Sequence, residues 1–272
     1  MNPRSAGPAW LFCPADRPER FAKAAAAADV VILDLEDGVA RVDKAAARKA
    51  LRDTPLDPER TVVRINAAGT DEHILDLQAL ADTGYGTVML SKTESAAQVS
   101  ALAPRDVVAL IETPRGAVFA AEIAAAEGTV AMMWGAEDLV AALGGSSSRR
   151  ADGGYRDFAR QVRSTTLLAA SAFDRVALDA VHLNIRDLDG LRAEAQDAAA
   201  VGFDGTVCIH PAQVSVVREA YRPDEDEVDW ARRVLAAAQS EPGVFAFEGQ
   251  MVDSPVLKHA RILLRRAGES TG

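Results

Sequence analysis

Along the chain, short apolar and β-branched runs alternate with longer Ala-rich segments whose polar residues recur at helical spacing. The runs that predict strands are Trp10–Cys13, Asp29–Leu35, Thr61–Ile65 and Thr87–Ser91. They continue as Asp106–Ile111, Thr129–Trp134, Arg175–Ala180 and Gly205–Ile209, which makes eight. Helical period predicts helices over Arg17–Ala28, Lys44–Asp53, Asp71–Ala81, Pro114–Ala126, Tyr155–Phe173 and Leu188–Val201. Such alternation implies right-handed βαβ units and a parallel sheet. Eight units in about 210 residues fit a (β/α)8 barrel, which usually takes about 250. An open dinucleotide-binding sheet would place GxGxxG after its first strand. CPADRP stands there instead. The expected fold is α/β: a (β/α)8 TIM barrel over residues 1–220, then a C-terminal helical extension over residues 221–272.

Two segments fall outside the alternation. GGSSSRRADGG (Gly144–Gly154) reads either as a mobile loop at a catalytic face or as a solvated connection. After PDEDEVDW, the run GVFAFEGQMVDSPVLKHARILLRR is too long for a closing helix. It predicts a helical appendage covering a barrel mouth, its own or a neighbour's.

Composition narrows the partners. With 272 residues, 49% hydrophobic and 26% charged, the chain is globular and long enough for a sizeable core. Lys plus Arg is 30 against 40 for Asp plus Glu, a net charge of -10. No basic excess is available for a nucleic-acid backbone, though a local pocket for one phosphorylated ligand remains compatible. Cys13 and Cys208 each lie in an apolar run, with no CxxC or Cys/His pair. The longest apolar stretches fall short of the roughly 20 residues of a membrane span, and the opening MNPRSAGPAW lacks a signal-peptide core. A soluble cytoplasmic protein is expected, without nucleic-acid or membrane partners.

The polar residues worth naming cluster at the carboxyl ends of predicted strands, the catalytic face of such a barrel. They are Glu36–Asp37, Arg64–Asn66, Lys92, Glu112–Gly116, Gly135–Asp138 and His210–Pro211. Singly, each reads as a solvated loop residue or a helix cap, as Asp71 and Asp138 illustrate. Together they place four carboxylates (Glu36, Asp37, Glu112, Asp138) on one rim, with at most one imidazole. Oxygen-only ligation suits a hard cation such as Mg2+. Arg64 and Arg115 offer planar forks for a substrate carboxylate or carbonyl oxygen. Lys92 is the rival feature, because some aldolases form an imine on a barrel lysine.

These residues resemble the citrate lyase β-subunit-like family within the HpcH/HpaI aldolase superfamily, a group that holds malyl-CoA and citramalyl-CoA lyases and pyruvate aldolases. The likeness runs through LFCPADRPERFAKA, ADVVILDLEDGVARVDKAAAR, VVRIN, VMLSK, LIETPRG, WGAEDL, GFDGTVCIHPAQV and GQMVDSP. It implies that Glu112 and Asp138 ligate Mg2+ while Glu36 and Asp37 hold metal-bound waters. It further implies that Arg64 grips a 2-oxo acid, with Glu112, Gly135 and Ala136 lining the acid's place, and that Arg17 and Lys23 meet CoA phosphates. Asp253 corresponds to a catalytic base donated to an adjoining subunit, and a homotrimer is expected. The chain departs from the family at Pro8–Ala9, Ala15 and Ser91, where Arg-Ser, Gly and Pro are usual. The activity implied is carbon–carbon cleavage or formation between an acyl-CoA and a 2-oxo acid. A citrate lyase subunit using a carrier-bound thioester and a CoA-independent pyruvate aldolase are the alternatives.

Overall fold

The computed structural model describes residues 6–241 and 243–269; the first half of the MNPRSAGPAW opening, Met1–Ser5, lies outside them. The chain forms two compact units that divide between Arg218 and Glu219.

The first unit holds strands β1 (Ala9–Pro14), β2 (Val30–Asp34), β3 (Thr61–Ile65) and β4 (Thr87–Leu90). It continues with β5 (Asp106–Ile111), β6 (Thr129–Trp134), β7 (Val176–Asp179) and β8 (Gly205–Cys208). Each strand pairs in parallel with the next, and β8 pairs back onto β1, closing the barrel. Closure leaves no edge, and these strands are buried on both faces, so they read as unbroken apolar runs.

Alternate positions fill the interior. Trp10, Val30, Ile32, Val62, Met89, Val108, Leu110, Ala131, Met133, Val176, Leu178 and Val207 form one buried cluster drawn from all eight strands. The period of two then carries Asp34, Arg64 and Glu112 onto the same inward face, one step beyond Ile32, Val62 and Leu110. The alternation that packs the core therefore also delivers charged side chains to the carboxyl-end mouth.

The helices of this unit are α1 (Phe21–Ala27), α2 (Lys44–Asp53), α3 (Asp71–Ala81), α4 (Ala96–Ser100), α5 (Pro114–Val118) and α6 (Ala120–Ala125). They continue with α7 (Ala136–Ala142), α8 (Asp157–Ala172), α9 (Leu188–Val201) and α10 (Pro211–Tyr221), whose last residues pass into the second unit. Two expected helices are subdivided. Pro18–Arg20 is a 3-10 turn ahead of α1, and Phe119 separates α5 from α6. Cys13 and Cys208 are buried free thiols, and burial pushes them up to about 11 and about 12 respectively. Thiols so displaced stay protonated and inert.

The second unit is not purely helical. Between α11 (Glu225–Ala237) and α12 (Ser254–Arg266) lies an antiparallel hairpin, β9 (Phe245–Phe247) with β10 (Gln250–Val252). Its two-residue loop has positive φ at Glu248 (51°) and Gly249 (79°), the pairing that tight hairpins demand. Val228, Ala231, Val234, Val252, Ala260, Leu263 and Leu264 give this unit a core of its own. Asp224 caps α11 in a reciprocal capping box with Glu227. Among the described residues, no helix is long and apolar enough to cross a membrane.

Candidate active site

The mouth is built around one ammonium group. Lys92 follows β4 with φ 51°, a conformation rarely adopted by a side-chain-bearing residue, and its backbone N–H donates to Glu112 Oε1 at 2.9 Å. Its Nζ lies 2.5 Å from Glu36 Oε1, 3.2 Å from Asp138 Oδ1, 3.5 Å from Asp37 Oδ2 and 3.9 Å from Glu112 Oε1. All four carboxylates named from the sequence thus converge on one point. Asp138 is not a helix cap. Gly135 holds the cap position of α7, and Asp138 turns its carboxylate to Lys92 from the first helical turn. Asp71 is likewise the first residue of α3 behind its true cap, Thr70.

Arg64 completes the cluster. Its Nε and Nη2 donate to Asp34 at 2.7 and 2.5 Å, and Nη1 lies 3.0 Å from Glu36 Oε2. The guanidinium carbon stands 4.7 Å above the Phe12 ring. Gly135 passes so close to Glu112 that a β-carbon there would meet its side chain at 3.0 Å. The backbone of Gly135 therefore borders the Glu112 side chain.

Electrostatics separates the acids. Burial pushes the Glu112 carboxyl up to about 8; Lys92 opposes this, while Asp138 and Glu36 add to the rise. Glu36 is also raised, chiefly by burial against the pull of Arg64. Burial acts upward on Asp37 too, but the Lys92 charge and a hydrogen bond with Glu36 outweigh it and hold that carboxyl low. Lys92 is raised: burial disfavours its charge, and the surrounding carboxylates overcome that. An ammonium held this firmly is a poor imine-forming nucleophile, which needs the opposite shift. The donors are all oxygens, and four carboxylates face two cations. Oxygen donors are the chemistry a hard divalent cation takes, and the Lys92 ammonium stands at the point these carboxylates surround.

Other residues named from the sequence lie elsewhere. Arg17 is exposed and pairs with Asp16 at 3.5 Å, and Lys23 is exposed on α1. Arg115 stacks, exposed, over the Phe119 ring with its guanidinium carbon 5.5 Å from the centroid. His210 is exposed, while Gln213 of the same IHPAQ segment is fully buried and ties the His182 carbonyl to the Ile209 and His210 amides. Asp253 caps α12 in the second unit, half-buried, with a long 3.4 Å bond from Val256 N–H. The Gly144–Gly154 segment is tied down by side chains. Ser148 donates to Glu137 at 2.7 Å, and Arg149 reaches the Tyr155 hydroxyl at 2.8 Å and both Glu194 oxygens.

A scaffold of buried polar residues escaped the sequence reading. Lys44 Nζ donates to the Leu35 and Glu36 carbonyls and to Asn66 Oδ1. Fully buried Asp76 accepts from the Asn66 amide, the Asn66 side chain and Arg48. These bonds lock the carboxyl ends of β2 and β3 together. Asp179 ends β7 and gathers Trp134 Nε1 at 2.6 Å with Arg163. A usable signal was present: both Asp34 and Asp179 are acids closing an apolar strand.

Residues 9–211 match the HpcH/HpaI aldolase/citrate lyase family. The chain belongs to that family. Residues 156–268 also match a family of carbon–carbon bond lyases of the TIM-barrel fold. A citrate lyase subunit beta-like protein of Mycobacterium tuberculosis is 76% identical over 271 residues, covering 100% of this chain and 99% of that one. A crystal structure of protein CitE from the same organism, in complex with magnesium, acetoacetate and coenzyme A, superposes with TM-score 0.94 at 77% identity. It covers 98% of this chain and 100% of the other. A (3S)-malyl-CoA thioesterase of Cereibacter sphaeroides is 34% identical, over 94% of this chain and 93% of that one. This member of the HpcH/HpaI aldolase/citrate lyase family thus has relatives along nearly its whole length.

Proposed function

We propose that this chain is a Mg2+-dependent carbon–carbon lyase that cleaves or forms a 3-hydroxyacyl-CoA such as citramalyl-, malyl- or citryl-CoA. The products of cleavage are acetyl-CoA and a 2-oxo acid. The observation that carries the reading is the all-oxygen cluster, in which Glu112 and Asp138 converge with Glu36 and Asp37. Support also comes from the magnesium, acetoacetate and coenzyme A bound by the Mycobacterium tuberculosis protein.

Glu112 and Asp138 are the residues to hold the cation, with Glu36 and Asp37 orienting waters around it. When bound, Mg2+ supplies a Lewis acid for the carbonyl of the 2-oxo acid. With Nε and Nη2 held by Asp34, Arg64 presents its remaining N–H groups to the oxygen that gains charge as the carbon–carbon bond forms. In the synthetic direction Asp253, contributed by a neighbouring subunit of a homotrimer, removes a methyl proton from acetyl-CoA. In cleavage it returns a proton to the departing acetyl carbon. Gly135 and Ala136 line the acid's place, and exposed Arg17 and Lys23 are available to CoA phosphates. Lys92 remains an ammonium and holds Glu36 and Asp37 in place.

The test is a product assay: the protein with Mg2+, acetyl-CoA and a panel of 2-oxo acids, the products identified by mass. A new acyl-CoA equal in mass to acetyl-CoA plus one 2-oxo acid, absent with EDTA, is expected. Turnover only of a carrier-bound thioester would identify a citrate lyase subunit instead. EDTA-resistant aldol chemistry without CoA would overturn the reading.

A further inference from the structure

Asp34 is 2% exposed at the end of β2, yet its carboxylate is among the most heavily used groups near the mouth. Oδ1 accepts from Glu36 N–H at 2.8 Å and Arg64 Nε at 2.7 Å. Oδ2 accepts from Gly38 N–H at 2.9 Å and Arg64 Nη2 at 2.5 Å. Four donors are thus met by two oxygens, and none of its capacity is directed outward. The two bonds to Arg64 form a parallel fork, the geometry that fixes both the position and the plane of a guanidinium. With Nε and Nη2 held this way, Nη1 is turned to Glu36 at 3.0 Å. The two backbone bonds pin the turn that carries Glu36 and Asp37.

The backbone of that turn has been cleared for this carboxylate. A β-carbon on Gly38 would overlap Asp34 Oδ2, deep inside van der Waals contact. From the other side Lys44 grips the Leu35 and Glu36 carbonyls, so the turn is held at both its N–H and C=O groups.

We infer that Asp34 is the positioning residue of the site. It touches no substrate and acts through Arg64, holding the guanidinium fork at the mouth and coupling it to the Glu36–Asp37 turn. This rests on the reading of Arg64 as the group that meets the 2-oxo acid. Misplacing such a fork by about 1 Å costs on the order of 10²-fold in rate. Glu112 follows β5 and Asp138 lies in the first turn of α7, so Asp34 bonds to neither and the loss falls chiefly on the acid rather than on the cation.

Asp34→Asn keeps the shape but sets an amide N–H2 against donors of Gly38 and Arg64. Its crystal structure is expected to show the Arg64 guanidinium rotated off its present plane. At saturating Mn2+, its pyruvate affinity is expected to fall about tenfold or more, with Mn2+ affinity within about threefold of wild type. In an Arg64→Ala background the same change should cost clearly less than in wild type, since only the two backbone bonds to the Glu36–Asp37 turn then remain for Asp34 to act through. Gly38→Ala, which disturbs the carboxylate without altering any charge, should weaken pyruvate in the same direction and serves if the first variant folds poorly. An unmoved guanidinium, wild-type pyruvate affinity, or an equal loss in the Arg64→Ala background would overturn the inference. Wild-type protein that binds neither pyruvate nor another 2-oxo acid contradicts the proposed function instead, and the Arg64 orientation in the variant still decides the anchoring.

Discussion

At the scale of single side chains, the mouth is defined by which acids keep their charge and what faces them. Lys92 is the decisive cation, because its four carboxylate neighbours hold its proton on. Borohydride reduction in the presence of a 2-oxo acid is therefore expected to leave no adduct, read by intact mass. A reduced adduct on Lys92 would contradict this. His182 gives a pH signature away from the mouth. Its Nδ1 lies 3.0 Å from Glu194, and that hydrogen bond, working against burial, raises the imidazole above its usual 6.5. A group raised in the folded state adds stability in full below its unfolded value, and that contribution fades as pH climbs through the folded value. The melting-temperature gap between wild type and His182→Gln should be widest below about pH 6.5 and narrow at higher pH. A gap independent of pH would contradict it. The rim residues were legible in the sequence because they follow strand ends. Lys44 and Asp76 were not, since buried polar residues inside helical runs carry no mark of their partners, while Asp34 was marked only as an acid closing an apolar strand.

At the scale of elements, strand β5 and helix α5 work as one device. β5 delivers Glu112, and Thr113 then caps α5 by accepting from Gly116 N–H at 3.0 Å. Gly116 lies against the backbone carbonyl of Thr93, just after Lys92, and a β-carbon there would overlap it. Backbone cannot swing aside as a side-chain tip can. Gly116→Ala is expected to cost about 1–3 kcal/mol, or several degrees of melting temperature by calorimetry, and to lower activity by shifting Lys92. An unchanged melting temperature would show that the loop gives way freely. The eight strands were readable because buried parallel strands are continuous apolar runs. The β9–β10 hairpin was not, because its strands have three residues each and its loop is Glu-Gly. The split of the Pro114–Ala126 segment into α5 and α6 also left no apolar break to read.

At the scale of the whole molecule, a closed barrel presents every strand's carboxyl end to one mouth, so acids distant in sequence become neighbours. Lys92 and Glu36 are 56 positions apart and 2.5 Å apart in space. The second unit carries its own core and its own acid, Asp253. If Asp253 serves a neighbouring subunit, mixing inactive Asp253→Asn with inactive Glu112→Ala subunits should restore some activity. No recovery after verified subunit exchange would count against shared sites. The central claim, however, concerns the cation at the mouth, and titration of Mn2+ by calorimetry into wild type, Glu112→Ala and Asp138→Ala tests it most directly. The account predicts one site per chain in wild type and its loss in both variants, each still folded by circular dichroism. Wild-type binding retained in either variant would contradict it.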